Sequence, residues 1–132
     1  MLLRIISLYD YLNSKKEIEK KSSWITKTKR NKPIVNFATS NLTAILTKQL
    51  VRSGTSVGAN IAEAFYAQSI DDFISKLSIA LKEAGETAYW LELLYDNKLL
   101  SDVEYHSICV DCDELLKMLT SSINTSKKKH LI

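Results

Sequence analysis

Cys109-Val-Asp-Cys112 is the one place in this chain where two soft metal ligands stand close together, with His106 three residues upstream. Thiolates and an imidazole at such spacing can hold zinc, and a Cys-x-x-Cys pair alone can cycle between dithiol and disulfide. Neither chemistry is completed. The chain has only two cysteines, so no second pair closes a zinc site, and no strand precedes the motif as in a thioredoxin-like redox site. Both cysteines fall on the apolar side of a helical pattern, with His106 off its flank. The simpler reading is two small core residues.

Other constellations fail in the same way. Glu83-x-x-Glu86 is a paired carboxylate best suited to ion pairing. A di-iron bundle needs Glu-x-x-His repeats, but Val103 and Lys127 stand three residues before His106 and His130. Gly54-x-x-x-Gly58 lacks the glycine spacing and the Lys-Ser/Thr of a phosphate loop. Two histidines leave no nucleophile, base and orienting group to assemble. No catalysis, cofactor or metal is expected.

Charge offers more. Residues 1–50 hold ten Lys/Arg against three Asp/Glu, a balance of +7, and residues 51–132 hold eight against twelve, a balance of −4. Most of the excess lies in residues 14–33, in Lys15, Lys16, Lys20, Lys21, Lys27, Lys29, Arg30 and Lys32, with Trp24 among them. Lys and Arg neutralise phosphates, and an aromatic ring can stack on an unpaired base. These nine residues are the candidate RNA- or DNA-binding set. The plainer alternative is a solvated loop, since like charges at this density resist packing.

The elements that carry these residues are helices. One proline and three glycines in 132 residues leave little turn material for a β fold. Leu2, Ile5, Ile6, Tyr9 and Leu12 recur at helical spacing and predict a helix over about 2–13. A basic linker over 14–33 follows. Leu42, Leu46, Leu50, Gly54, Val57, Ile61 and Phe65 predict a second helix over 42–67 that runs unbroken through the glycines. Ser69-Ile-Asp-Asp72 resembles a capping box for a third, over 70–96, and Ser101-Asp-Val-Glu104 is a full box for a fourth, over 102–123. A frayed tail covers 125–132. Two short links favour antiparallel neighbours. The expectation is one all-α domain over 1–132, an up-down-up-down antiparallel four-helix bundle. No apolar run reaches membrane-spanning length, and the start has no signal-peptide pattern, so no membrane partner and a cytoplasmic location are expected.

Gly in a helix costs about 1 kcal/mol relative to Ala, so Gly54 and Gly58 need a compensating role. With Ala62 they form a smooth strip that another backbone can approach. Arg52, Asn60 and Glu63 share a polar arc of the same helix. The reverse side of the third helix carries Ile79, Glu83, Glu86 and Trp90, a mixture of apolar and charged groups that suits a protein interface better than a solvent face. The expected interface therefore comprises Arg52, Gly54, Gly58, Asn60, Glu63, Ile79, Glu83, Glu86 and Trp90, with Arg52 pairing Glu83 or Glu86.

Two ordered motifs extend this reading. The stretch from Lys48 through Ala64, Lys-Gln-Leu-Val-Arg-Ser-Gly-Thr-Ser-Val-Gly-Ala-Asn-Ile-Ala-Glu-Ala, resembles the signature of the four-helix bundle proteins of 23S rRNA intervening sequences. So does the stretch from Asp72 through Leu94. The resemblance covers about residues 46–100, and residues 3–12 loosely. It implies a bacterial protein that assembles as a ring-like homopentamer. Relatives include the accessory variability proteins of diversity-generating retroelements, which look like basic pentameric barrels binding a reverse transcriptase and nucleic acid. The function expected is a non-enzymatic oligomeric bundle that binds RNA or DNA non-specifically through a basic surface. The alternative is a scaffold that recruits a protein partner, such as a polymerase or reverse transcriptase, without touching nucleic acid.

Overall fold

A computed structural model describes residues 1–25 and 35–131, with residues 2, 16–25 and 35–40 as backbone. Four helices make up the architecture: α1 (Leu2–Ile25), α2 (Val35–Phe65), α3 (Ile70–Asp96) and α4 (Asp102–His130). No strand occurs among the described residues. Contact registers run oppositely along neighbouring helices. Glu63 meets Lys76 while Arg52 meets Glu86 across α2 and α3, and Asp71 meets His130 while Tyr95 stacks on Tyr105 across α3 and α4.

The helix ends follow from local chemistry. Ser69 caps α3 in an extended conformation, and its hydroxyl accepts from the Asp72 amide at 3.1 Å. Asp72 does not reach back to Ser69, as a capping-box Glu would. Its shorter side chain accepts from the Gln68 amide instead, at 3.1 Å. Ser101 and Glu104 complete the reciprocal box of α4. At the end of α3, the Leu99 amide donates to the Leu94 carbonyl and the Lys98 amide to the Tyr95 carbonyl, both at 2.9 Å. That is the Schellman closure, which needs a left-handed residue. Lys98 supplies it at φ 60°, where glycine is usual.

The core has two parts along the bundle. In one, Ile5, Leu8 and Leu12 of α1 pack with Leu46, Leu50, Leu91, Leu94, Ile108 and Cys112. In the other, Val57 and Ala64 of α2 pack with Leu77, Ala80 and Ala84 of α3 and Leu119 and Ile123 of α4, and Met1 is packed against both. A buried Leu or Ile contributes about 1.5–3 kcal/mol relative to an exposed one, so the four long helices are held mainly by this stripe. Arg4 ties α1 to α4, donating to the Ser107 carbonyl at 3.1 Å and to Asp111 at 2.5 Å.

Four expectations change. α1 runs to Ile25, so residues 14–25 of the expected linker are helical; residues 26–34 lie outside the described residues. Lys and Glu are good helix formers, and Glu17 stands three and four positions before Lys20 and Lys21. α2 begins at Val35, seven residues before the expected start. The expected frayed tail is helical to His130, where the last turn holds Lys127, Lys128, Lys129 and His130 against the negative end of the helix dipole. Finally, Phe65 is 82% exposed and Leu42 37% exposed, although both fit the apolar pattern of α2. Each four-residue step overshoots a full turn by about 40°. Successive steps from Leu42 to Gly54, and from Val57 to Phe65, therefore carry the ends of the pattern off the core face.

Candidate assembly face and basic surface

α2 and α3 present a joint polar seam. Arg52 is its centre. Its Nε donates to Gln49 Oε1 at 3.0 Å, and its Nη2 donates to Glu86 Oε1. The Trp90 indole N–H donates to the same Glu86 oxygen at 3.0 Å. These donors hold the Glu86 carboxyl below the usual range, Trp90 first and Arg52 second. Arg52 is raised in turn, chiefly by its bond to Glu86. The Arg52 side chain is half-exposed, so solvent screens this pairing.

Glu83 completes the seam differently. Its Oε2 lies 3.7 Å from Arg52 Nη1, and this buried oxygen accepts no hydrogen bond. Beneath it, the Thr87 hydroxyl lies 2.8 Å from the Glu83 carbonyl oxygen and 2.9 Å from Ser53 Oγ, and Ser53 donates to the Leu50 carbonyl at 3.2 Å. Ser53 and Thr87 are fully buried. Sequence reading missed this pair. A Ser and a Thr on helix faces look like solvent positions until two helices are laid together.

The other expected interface residues are spread along the same two helices. Ile79 is exposed. Glu63 pairs with Lys76 at 2.5 Å, which raises the Lys76 ammonium. Asn60 Nδ2 donates to the Ser56 carbonyl at 2.9 Å. Gly58 is half-buried. Gly54 is buried, and a Cβ built there would stand 2.9 Å from Ile5 Cδ1. The glycine therefore makes room for a side chain of α1 within the chain. Arg52, Glu83, Glu86, Trp90 and Ile79 form one neighbourhood, and Gly54 belongs to the core behind it.

Of the two cysteines, Cys112 is a core residue and Cys109 lies at the core's edge. Cys112 is buried, with its thiol 3.4 Å from Met1 Sδ, and burial pushes it up to about 11. Cys109 is half-buried and also raised, chiefly by burial. The neighbouring Tyr105 hydroxyl is pushed up to about 12, first by its interaction with Cys109 and then by burial. Thiols held protonated are poor nucleophiles and poor metal ligands. His106 Nδ1 lies 2.7 Å from the Asp102 carbonyl. No group of three His, Cys, Asp or Glu suited to a metal occurs among the described residues.

Of the basic set, Lys15 is exposed, with its ammonium 6.0 Å from the Tyr11 ring centroid. Lys16, Lys20, Lys21 and Trp24 belong to α1. Lys27, Lys29, Arg30 and Lys32 lie outside the described residues. A different basic group is fully placed: Lys127, Lys128 and Lys129, exposed on the last turn of α4. No helix among the described residues is long and apolar enough to cross a membrane.

The sequence pattern of the 23S rRNA-intervening sequence proteins matches residues 31–121, which hold α2, α3 and α4 as far as Ser121. The chain belongs to that family. This 23S rRNA-intervening sequence protein also resembles, at 40% identity and a TM-score of 0.69, a crystal structure from Bacteroides thetaiotaomicron VPI-5482. That structure, at 1.70 Å, is of a protein of unknown function from the S23 ribosomal protein family. The match covers 92% of this chain and 90% of that one. No curated protein matches this family member.

Proposed function

We propose that this protein is a non-enzymatic bundle that self-assembles through its α2–α3 seam, as a homopentameric ring in the bacterial cytoplasm, and presents a basic surface to RNA or DNA. The observation that carries the assembly is Glu83. A buried carboxylate oxygen without a donor costs about 1–3 kcal/mol, and here it lies on a seam with exposed Ile79 and Tyr89 and half-buried Trp90. A donor and an apolar cover from a neighbouring protomer relieve both defects at once. Aromatic and Arg anchors surrounded by apolar surface are the usual composition of an interface centre.

Light scattering tests the assembly. The expected mass is five protomers, and Ile79→Asp is expected to yield smaller species with unchanged helicity. A monomer at micromolar concentration refutes the reading. The nucleic-acid half rests on the basic excess of residues 1–50, which a ring repeats around its axis. Binding that persists unchanged at high salt, or is absent at low salt, refutes that half. A protein partner that survives nuclease treatment would favour the scaffold alternative.

A further inference from the structure

We infer that the end of the bundle where α2 passes into α3 is a binding surface for single-stranded nucleic acid, built from Phe65, Tyr66, Lys127, Lys128 and Lys129. The inference rests on the nucleic-acid half of the reading above and moves the contact away from residues 15–32. Phe65 and Tyr66 are 82% and 87% exposed, on the last residue of α2 and the first residue of the turn. Two adjacent aromatic rings this open contribute nothing to the core.

The three lysines reach the same end by tertiary packing. α4 runs back along α3 until His130 Nε2 lies 3.3 Å from Asp71, one residue past the start of α3 and five past Tyr66. More than sixty positions of sequence separate the aromatics from the lysines, but the fold brings them to one end of the bundle. Of the carboxylates nearby, Glu63 pairs with Lys76, Asp72 accepts from the Gln68 amide, and Asp71 lies 3.3 Å from His130, which offsets its charge when the ring is protonated. Lys127, Lys128 and Lys129 take part in no ion pair among the described residues. Their charge is left for a polyanion.

A track leads away from this end. Lys128 also lines a groove of about 580 Å³ on α4, with Asn124, Thr120 and Lys117 further along it. Lys117 and Lys128 are eleven positions apart, roughly 16 Å on a helix, enough for a few nucleotides of backbone. Stacking rings combined with a positively charged track are what single strands require, because unpaired bases offer their faces. In a duplex those faces are stacked internally, so the aromatics gain nothing there.

The test is fluorescence anisotropy on the full chain with a labelled oligouridylate, an oligothymidylate and a duplex of matched length. Changing all three lysines to Gln is expected to make the salt slope of log K shallower by about 2. Phe65→Ala with Tyr66→Ala is expected to weaken binding roughly tenfold or more with the slope unchanged. All five positions are exposed, and circular dichroism checks that both variants fold. Single strands should bind better than the duplex; preference for oligouridylate over oligothymidylate assigns the ligand to RNA, the reverse to DNA. Wild-type protein that binds no oligonucleotide at low salt overturns the nucleic-acid reading itself. Wild-type binding that neither variant alters, or that Lys15→Gln alone abolishes, leaves that reading standing and overturns this location. Duplex bound as well as single strand overturns the stacking role.

Discussion

Gly54 and Ile5 offer a decisive test of how α1 docks on α2. Replacing Gly54 with Ala has two opposed effects. An Ala inside a helix is favoured over Gly by about 1 kcal/mol. Against this, the new Cβ would lie 2.9 Å from Ile5 Cδ1 and 3.4 Å from Ile5 Cγ2. Ile5 is fully buried, so its terminal methyl cannot swing into solvent, and overpacking of this kind costs about 1–3 kcal/mol. The net expectation is a loss of about 0–2 kcal/mol. Ile5→Val removes the methyl that makes the 2.9 Å contact and costs about 0.5–1.5 kcal/mol by itself. In that background the propensity gain stands alone, and Gly54→Ala should stabilise by up to about 1 kcal/mol. The sign of the glycine substitution is therefore expected to reverse, with a coupling energy of about 1–3 kcal/mol. The assay is urea denaturation of the four proteins followed by circular dichroism, at one protomer concentration because assembly shifts apparent stability. Equal stabilisation by Gly54→Ala in both backgrounds would refute the reasoning. Ile5 would then not lie on Gly54, and α1 would be seated elsewhere.

Three further outcomes follow from the start and the core of α4. At pH 8 a disulfide reagent should modify Cys109 before Cys112, and Cys112 only on unfolding, because burial holds its thiol up at about 11; equal rapid labelling by mass spectrometry would count against the packing of Met1 over it. Ser101→Ala should cost about 1 kcal/mol near neutral pH through loss of the cap. The Glu104 carboxyl is held low, first by the Ser101 backbone amide. A carboxyl lowered by folding stabilises above its unfolded value and loses that contribution as pH falls through its folded value. The stability gap between wild type and Glu104→Gln should thus close on acidification and be constant from neutral to mildly alkaline pH.

Much of this fold is legible in one dimension. Helix periodicity and the Ser69 and Ser101 caps place α3 at about 70–96 and the start of α4 at about 102, where the structure has Ile70–Asp96 and Asp102, because caps and apolar stripes are short-range physics. The same local rules put Cys112 in the core, though Cys109 is only half-buried, and set Arg52 against Glu83 and Glu86. The extents of α1, α2 and α4 escape it. Polar Lys- and Ser-rich turns carry no apolar period, and they are helical because an adjoining packed stripe has already met the cost of nucleation. Three things belong to the tertiary structure alone. Ile5 lies on Gly54, so the glycine serves α1 within the chain. Ser53 and Thr87 satisfy each other, being thirty-four residues apart but opposed across the seam. Phe65 and Tyr66 share a bundle end with Lys127, Lys128 and Lys129, because α4 is long enough to carry its lysines back to the start of α3. Sequence patterns encode which face of a helix is apolar, but only the packed bundle decides which distant faces meet.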